Sequence, residues 1–178
     1  MPIGVQSSDT PLPDAYLRKA LAYWQRKCGE RHMPCRADID PVEMPELLSY
    51  IRLVDVVAPG QYRYRVVGTE VEQMHGGLKF NGRFVHEALP PALADHVVPV
   101  YDECVRACRP VFLENRFLAP DTERVARHSR VIYLPLSEDD QTVSMVLVVQ
   151  VFVAIQPGVV DTFDPWVTQY VEIQRRIL

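Results

Sequence analysis

Cys28, His32 and Cys35 stand close together in the stretch "CGERHMPC" and could bring two thiolates and an imidazole to one place. Structural zinc takes four such ligands in a tetrahedron. The fourth would have to come from a distant residue such as His128, so the spacing assigns no metal site. Cys104 and Cys108 are four apart, which on one helix face reads as small core residues rather than metal ligands. Glu43, Glu46, Glu70 and Glu72 fall in helical segments and read as solvated. No nucleophile elbow, phosphate loop, His-Glu-x-x-His or dinucleotide glycine pattern occurs. No catalytic residue is assigned, and the chain does not read as an enzyme.

A second constellation combines polar tips with apolar surroundings. Asp55 lies in "YIRLVDVV" and Tyr62 and Tyr64 in "QYRYRVVG", two extended runs joined by Pro59-Gly60. They read as a hairpin. Pairing Val57 with Tyr62 sets Asp55 opposite Tyr64 and Leu53 opposite Val66. Asp55, Tyr62 and Tyr64 then share one face. Tyr133 and Met145, from later strands, could line the same cavity. Ligand pockets combine apolar walls with a few placed polar groups, so these five residues form the candidate pocket. The competing reading pairs Asp55 with Arg65 or Arg52 and leaves Tyr64 as core. A one-residue slip would reverse one strand's faces.

The elements that position these residues follow from periodicity. Leu17, Leu21, Trp24 and Cys28 trace one helix face, with Asp14 as N-cap and Gly29 as stop. Leu93, Val97, Val100, Cys104 and Cys108 trace another, interrupted by Pro99, where the helix kinks or a second one begins. Strands are expected at 110–118, 127–136 and 142–152. The last is apolar on both faces, as in a central strand. At the end, Asp164, Pro165, Trp166, Tyr170, Ile173 and Ile177 read as a capped amphipathic helix. The predicted fold is α+β with one antiparallel sheet. Leu17, Leu21, Trp24, Trp166 and Tyr170 mark the terminal stripes, which either pack on the open sheet face or build a homodimer.

The 178 residues carry a net charge of −4, with 48% apolar and 24% charged residues. That is the balance of a soluble domain, and the absence of a basic cluster argues against nucleic acid. No run is long and apolar enough for a membrane span. The N-terminal stretch lacks the pattern of a secretory signal. A cytoplasmic location with free thiols is the expectation.

The order of elements resembles the PAS topology, a five-stranded antiparallel sheet with covering helices, here with N- and C-terminal flanking helices added. The likeness sharpens in Met33-Pro34, Arg36-Ala37-Asp38-Ile39-Asp40-Pro41, "RYRVVGT" at 63–69, "NGR" at 81–83 and "VIYLPLSEDD" at 131–140. These segments resemble a family of stand-alone, mainly alphaproteobacterial PAS proteins. The resemblance spans about residues 20–153, and with the terminal stripes the chain divides into a tail (1–12), an N-terminal helix (13–30), a PAS domain (31–155) and a C-terminal helix (156–178). The resemblance implies a sensory or regulatory module, often dimeric, that acts through a partner or through its own oligomer. Two readings follow. One is a sensor holding an unidentified small apolar or amphipathic molecule; the other is a ligand-free interaction scaffold.

Two familiar PAS cofactors are weakly served. "KFNGRF" echoes the Asn-Cys-Arg-Phe signature of flavin photosensors, but the reactive cysteine's position is Gly82. Adduct chemistry is therefore absent there, and Gly82 reads as a bend with Arg83 on the surface or in an ion pair. Haem needs an axial base such as histidine. His75, His86 and His96 are the best placed, yet a histidine in such a segment is more often solvated or hydrogen-bonded. The cofactor is left unknown.

Overall fold

The computed structural model describes residues 11–119, 126–154 and 170–178. The first helix, α1 (Ala15–Cys28), begins where the Asp14 carboxylate accepts from the Tyr16 and Leu17 amides at 2.8 and 3.4 Å. It ends at Gly29, whose φ of 58° suits glycine. Three short 3-10 turns lead to a hairpin of β1 (Ile51–Ala58) and β2 (Gln61–Val67). Then come α2 (Thr69–Met74), α3 (Val85–Ala88) and α4 (Pro91–Ala107). Pro99 lies inside α4, which continues through it as one helix. The strands β3 (Val111–Leu118), β4 (Ala126–Ser137) and β5 (Val143–Val153) follow.

Among the described residues the sheet has six strands rather than five, in the order β2-β1-β5-β4-β3-β6, and every described pairing is antiparallel. The sixth, β6 (Tyr170–Ile177), replaces the last part of the expected C-terminal helix. It pairs along the outer side of β3. That edge would otherwise present unpaired amides and carbonyls, and pairing outweighs the helical spacing of Tyr170, Ile173 and Ile177. Trp166 and the proposed cap at Asp164 and Pro165 lie outside the described residues.

The pleat gives the sheet two unlike faces. Arg52, Val148, Tyr133, Val111 and Ile177 form one cross-strand row. Tyr101 of α4 meets Tyr133 on this face, and His75, the C-cap of α2, meets Phe117 there. Leu53, Leu147 and Leu134 form a row on the other face. There α1 packs on β4 and β5, and the buried Trp24 indole N–H donates to the Pro135 carbonyl at 2.8 Å. Both faces are thus covered, as the burial of Leu134 and Val148 requires.

The hairpin register departs from the sequence expectation between two irregularities, one at Leu53/Val54 and one at Val56/Ala58. Leu53 does pair with Val66, but Val54 pairs with Tyr64, Asp55 with Arg63 and Val56 with Tyr62. One extra β2 residue, Arg65, lies opposite the step from Leu53 to Val54. A bulge of one residue turns everything beyond it to the other face. Tyr62 and Tyr64 therefore share a face with Arg52 and Val54, and Asp55 does not.

Candidate functional site

The candidate site lies between the sheet and the α2–α4 layer and is built around Arg52. This residue is only 5% exposed. Tyr64 from β2, Tyr101 from α4 and Tyr133 from β4 surround it, all essentially inaccessible. Tyr62 stacks on Tyr101 with ring centroids 4.8 Å apart, and Tyr101 meets Tyr133 edge-on at 5.0 Å. Tyr64 meets Phe80 at 5.1 Å. The Tyr62 hydroxyl is already engaged by Asp102 of α4, which also accepts the Gly60 amide.

The remaining polar groups are not all engaged. Among the described residues, Arg52 Nε, the Tyr64 and Tyr101 hydroxyls and Gln150 Oε1 are buried without a hydrogen-bond partner. Arg52 lies beside Tyr64 and Tyr133, but neither its Nε nor the Tyr64 hydroxyl finds good hydrogen-bond geometry. No carboxylate among the described residues pairs with Arg52. Buried polar groups are normally satisfied, so four orphans on one side of a sheet call for an explanation.

The electrostatics sharpen this picture. Burial pushes the Tyr64 phenol up to about 12, although the Arg52 charge pulls it back. Burial likewise raises Tyr101 and Tyr133 against the same pull. These phenols stay protonated at neutral pH and cannot neutralise Arg52. Burial also works against the Arg52 charge, but the tyrosine oxygens around it outweigh that effect, and a guanidinium does not deprotonate in proteins.

A polar track extends from this centre toward the sheet edge. Gln150 Nε2 donates to Ser129 Oγ at 3.0 Å, Ser129 donates to Asn115 Oδ1 at 2.6 Å, and Asn115 Nδ2 donates to the Tyr170 hydroxyl at 3.3 Å. Gln150, Ser129 and Asn115 are buried. His75 closes another side. Its Nδ1–H donates to the Val71 carbonyl at 2.7 Å, and its ring stacks on Phe117 at 4.7 Å.

Of the five candidate pocket residues, the structure gathers Tyr62, Tyr64 and Tyr133. Asp55 and Met145 pair with each other across β1 and β5 on the opposite face. Asp55 there holds Arg65 at 2.9 Å and Arg63 at 3.2 Å, the reading in which it forms an ion pair. Among the stripe residues, Leu17 and Trp24 are buried and Leu21 is partly buried against the core. Tyr170 belongs to β6 and stacks on His96 at 4.2 Å. His32 turns to Asp140 at 3.1 Å, while Cys28 Sγ faces the His32 carbonyl. Among the described residues, no three His, Cys, Asp or Glu side chains gather as a metal site. Gly82 takes φ 81°, and its amide donates to the Tyr64 carbonyl at 2.7 Å. Arg83 is exposed and donates to the Glu87 carbonyl.

Arg52, Tyr101 and Gln150 were not singled out from sequence. The available signal was an arginine inside "YIRLVDVV", a run apolar on both sides of it. Such a residue in a central strand is buried whichever face it takes.

A family model described as PAS domain matches residues 14–150, and the chain belongs to that family. PAS domains are sensory and signalling modules that often act through partners. Among solved structures, the chain is similar to the PAS domain of BvgS from Bordetella pertussis. The identity is 17%, with 65% of this chain and 84% of that one covered, and the TM-score is 0.51. A sensory box sensor histidine kinase from Vibrio cholerae matches at 18% identity over 64% of this chain and 90% of that one, with a TM-score of 0.45. The VqmA dimer of Vibrio cholerae matches at 12% identity and a TM-score of 0.47. That match covers 64% of this chain and 51% of VqmA, so the chain spans about half of that protein. No curated protein matches the chain. No described helix is long and apolar enough to cross a membrane.

Proposed function

We propose that this chain is a cytoplasmic PAS-type sensory module that binds a small amphipathic molecule between its sheet and α2–α4. It would pass the binding event on through contacts with a second copy or a signalling partner. The observation that carries this reading is the set of buried, unpartnered groups on Arg52, Tyr64, Tyr101 and Gln150. A filled, ligand-free core gains nothing from such groups, each of which costs roughly 1–3 kcal/mol unpaired. A ligand can regulate only by binding two states differently. The α4 layer offers the coupling, because it touches the site through Tyr101 and the edge strand through the His96–Tyr170 stack.

Native mass spectrometry of the purified protein tests the reading in one run. A discrete retained mass, released when the protein is denatured, is the expected result. A change in subunit number on ligand removal would support signalling through the dimer. A bare protein whose subunit number no extract or small-molecule pool alters would favour the ligand-free scaffold instead.

A further inference from the structure

We propose that Arg52 is the counter-ion for a small organic carboxylate, seated with its anionic group against the guanidinium and the hydroxyls of Tyr64 and Tyr101. The inference rests on the ligand-binding reading above and names the chemical class of the ligand.

The first argument is charge balance. Removing a cation from water without a partner costs several kcal/mol. Arg52 is buried, and no carboxylate among the described residues is hydrogen-bonded or ion-paired to it. Three residues along the same strand, Asp55 holds two arginines. The acid that could have compensated Arg52 is thus on the other side of the sheet and committed. The tyrosine oxygens favour the cation, but neutral phenols carry no negative charge to balance it.

The second argument is the hydrogen-bond inventory. The unpartnered groups at this site are one guanidinium N–H, two hydroxyls and one amide oxygen. Three of the four can donate, and only Gln150 Oε1 is restricted to accepting. A carboxylate accepts several hydrogen bonds and suits the planar guanidinium. Gln150 lies two residues along β5 from Val148, the cross-strand neighbour of Arg52. A ligand hydroxyl or amine at its far end would satisfy that oxygen. The walls are rings, with Tyr62, Tyr101, Tyr133 and Phe80 all buried, so the body of the ligand should be apolar or aromatic.

The test uses the full chain after denaturation, ligand removal and refolding. Benzoate, 4-hydroxybenzoate and hexanoate are titrated against their neutral amides and against sodium chloride at matched ionic strength. Melting temperature and calorimetric heat are read for wild type, R52M and R52K. At least one saturating acid should raise the wild-type melting temperature by about 5 °C or more, with its amide and chloride nearly silent. R52M should lose the acid response and, without ligand, melt no lower than wild type, because it removes a buried charge that no acid among the described residues balances. R52K keeps the charge but loses the planar fork, and should bind the acid roughly tenfold more weakly. If R52M fails to fold, Arg52 has a structural partner and the inference is overturned. If amides protect as well as acids, the ligand is neutral and the carboxylate inference falls, while the ligand-binding reading stands. If chloride protects as well as the acids, the site takes an inorganic ion and the inference falls. If no probe binds and native mass spectra show bare protein, both the carboxylate and the ligand-binding reading fall.

Discussion

Arg52 and Asp55 stand three residues apart on β1 and project to opposite faces of the sheet, one buried without an acid and the other gripping two arginines. Strand alternation produces this separation, and the bulge at Arg65 decides which β2 residues join each side. The bulge turns the first β2 residues over, so that Arg63 and Arg65 both reach Asp55 while Tyr62 and Tyr64 join Arg52. The local shift of register between Val54 and Ala58 thus decides which β2 side chains meet each charge.

The Asp55 cluster should behave as an ordinary surface ion pair. Its arginines are about half exposed, at 45% and 54%, so the attraction is screened by water and salt. Asp55→Ala should cost up to about 1 kcal/mol, because two guanidinium groups are left facing each other. Urea melts at low and high salt will check this, with the loss shrinking as salt rises. Carboxylate binding should be untouched. An unchanged urea midpoint at low salt would show that the pair contributes nothing.

Gly68, in the "RYRVVGT" segment, is needed for space rather than for backbone freedom. Its φ is −69°, which any residue adopts. A methyl group there would sit 2.6 Å from the Leu48 carbonyl oxygen and closer still to that of Ser49. Both are backbone atoms, and the Gly68 amide is tied to the Ile51 carbonyl at 2.8 Å. The neighbours cannot simply turn aside. Gly68→Ala should therefore destabilise by about 1–3 kcal/mol, visible as a lower denaturation midpoint. A midpoint equal to wild type would mean that the 3-10 turn before β1 is free to shift.

Tyr64→Phe separates ligand from core. The Tyr64 hydroxyl is fully buried and unpartnered. In ligand-free protein its removal should be neutral or stabilising by about 1 kcal/mol, since a buried unsatisfied group is lost. In the presence of a bound acid the same change should weaken binding, because one donor is gone. A loss of stability in the ligand-free state would show that the hydroxyl has a partner, and would remove Tyr64 from the site.

Much of this architecture was legible in the sequence, and the failures have physical causes. Asp14, Gly29 and the stripe of Leu17, Trp24 and Cys28 gave α1, because cap chemistry and periodicity are local. Pro59-Gly60 gave the hairpin. The two-sided apolarity of β5 gave its central place between β1 and β4. The bulge left no such mark. "QYRYRVV" alternates equally well in either register, and only the packing of the finished sheet decides which tyrosines turn inward. The C-terminal segment failed for a related reason. Tyr170 and Ile177 hold helical spacing, but β3 offered an unpaired edge that sequence periodicity does not see. Arg52 was legible only as an anomaly. Its burial depends on which face the helices cover, and its missing partner depends on where Asp55 points.

His75 makes the folded state sensitive to mild acid. Its pKa is lowered from 6.5 to about 3, first by burial and then by the charges of Arg52 and Arg127; the hydrogen bond to the Val71 carbonyl opposes the shift only in part. The groups packed on its ring are Phe80, Phe117 and Phe152, none of which can share a proton. The folded protein therefore keeps His75 neutral while the unfolded chain protonates it near 6.5. Stability from this residue is complete above that value. It falls as pH drops toward 3, by at most ~1.4 kcal/mol per pH unit. Between pH 7.5 and 5 the loss should reach about 2 kcal/mol. Glu114 adds to it only at lower pH. Burial raises that carboxyl, but hydrogen bonds from Gln174, Arg130 and His128 outweigh burial and hold it low, so its contribution disappears below the ordinary carboxylate range. His75→Phe should keep the ring stack and flatten the profile above pH 5. The Val71 carbonyl retains the His75 backbone amide as a partner. Chemical denaturation of both proteins across this range measures the difference. Parallel profiles for wild type and variant would mean that His75 accepts its proton in the folded state, and that the α2 end opens in mild acid without unfolding the sheet.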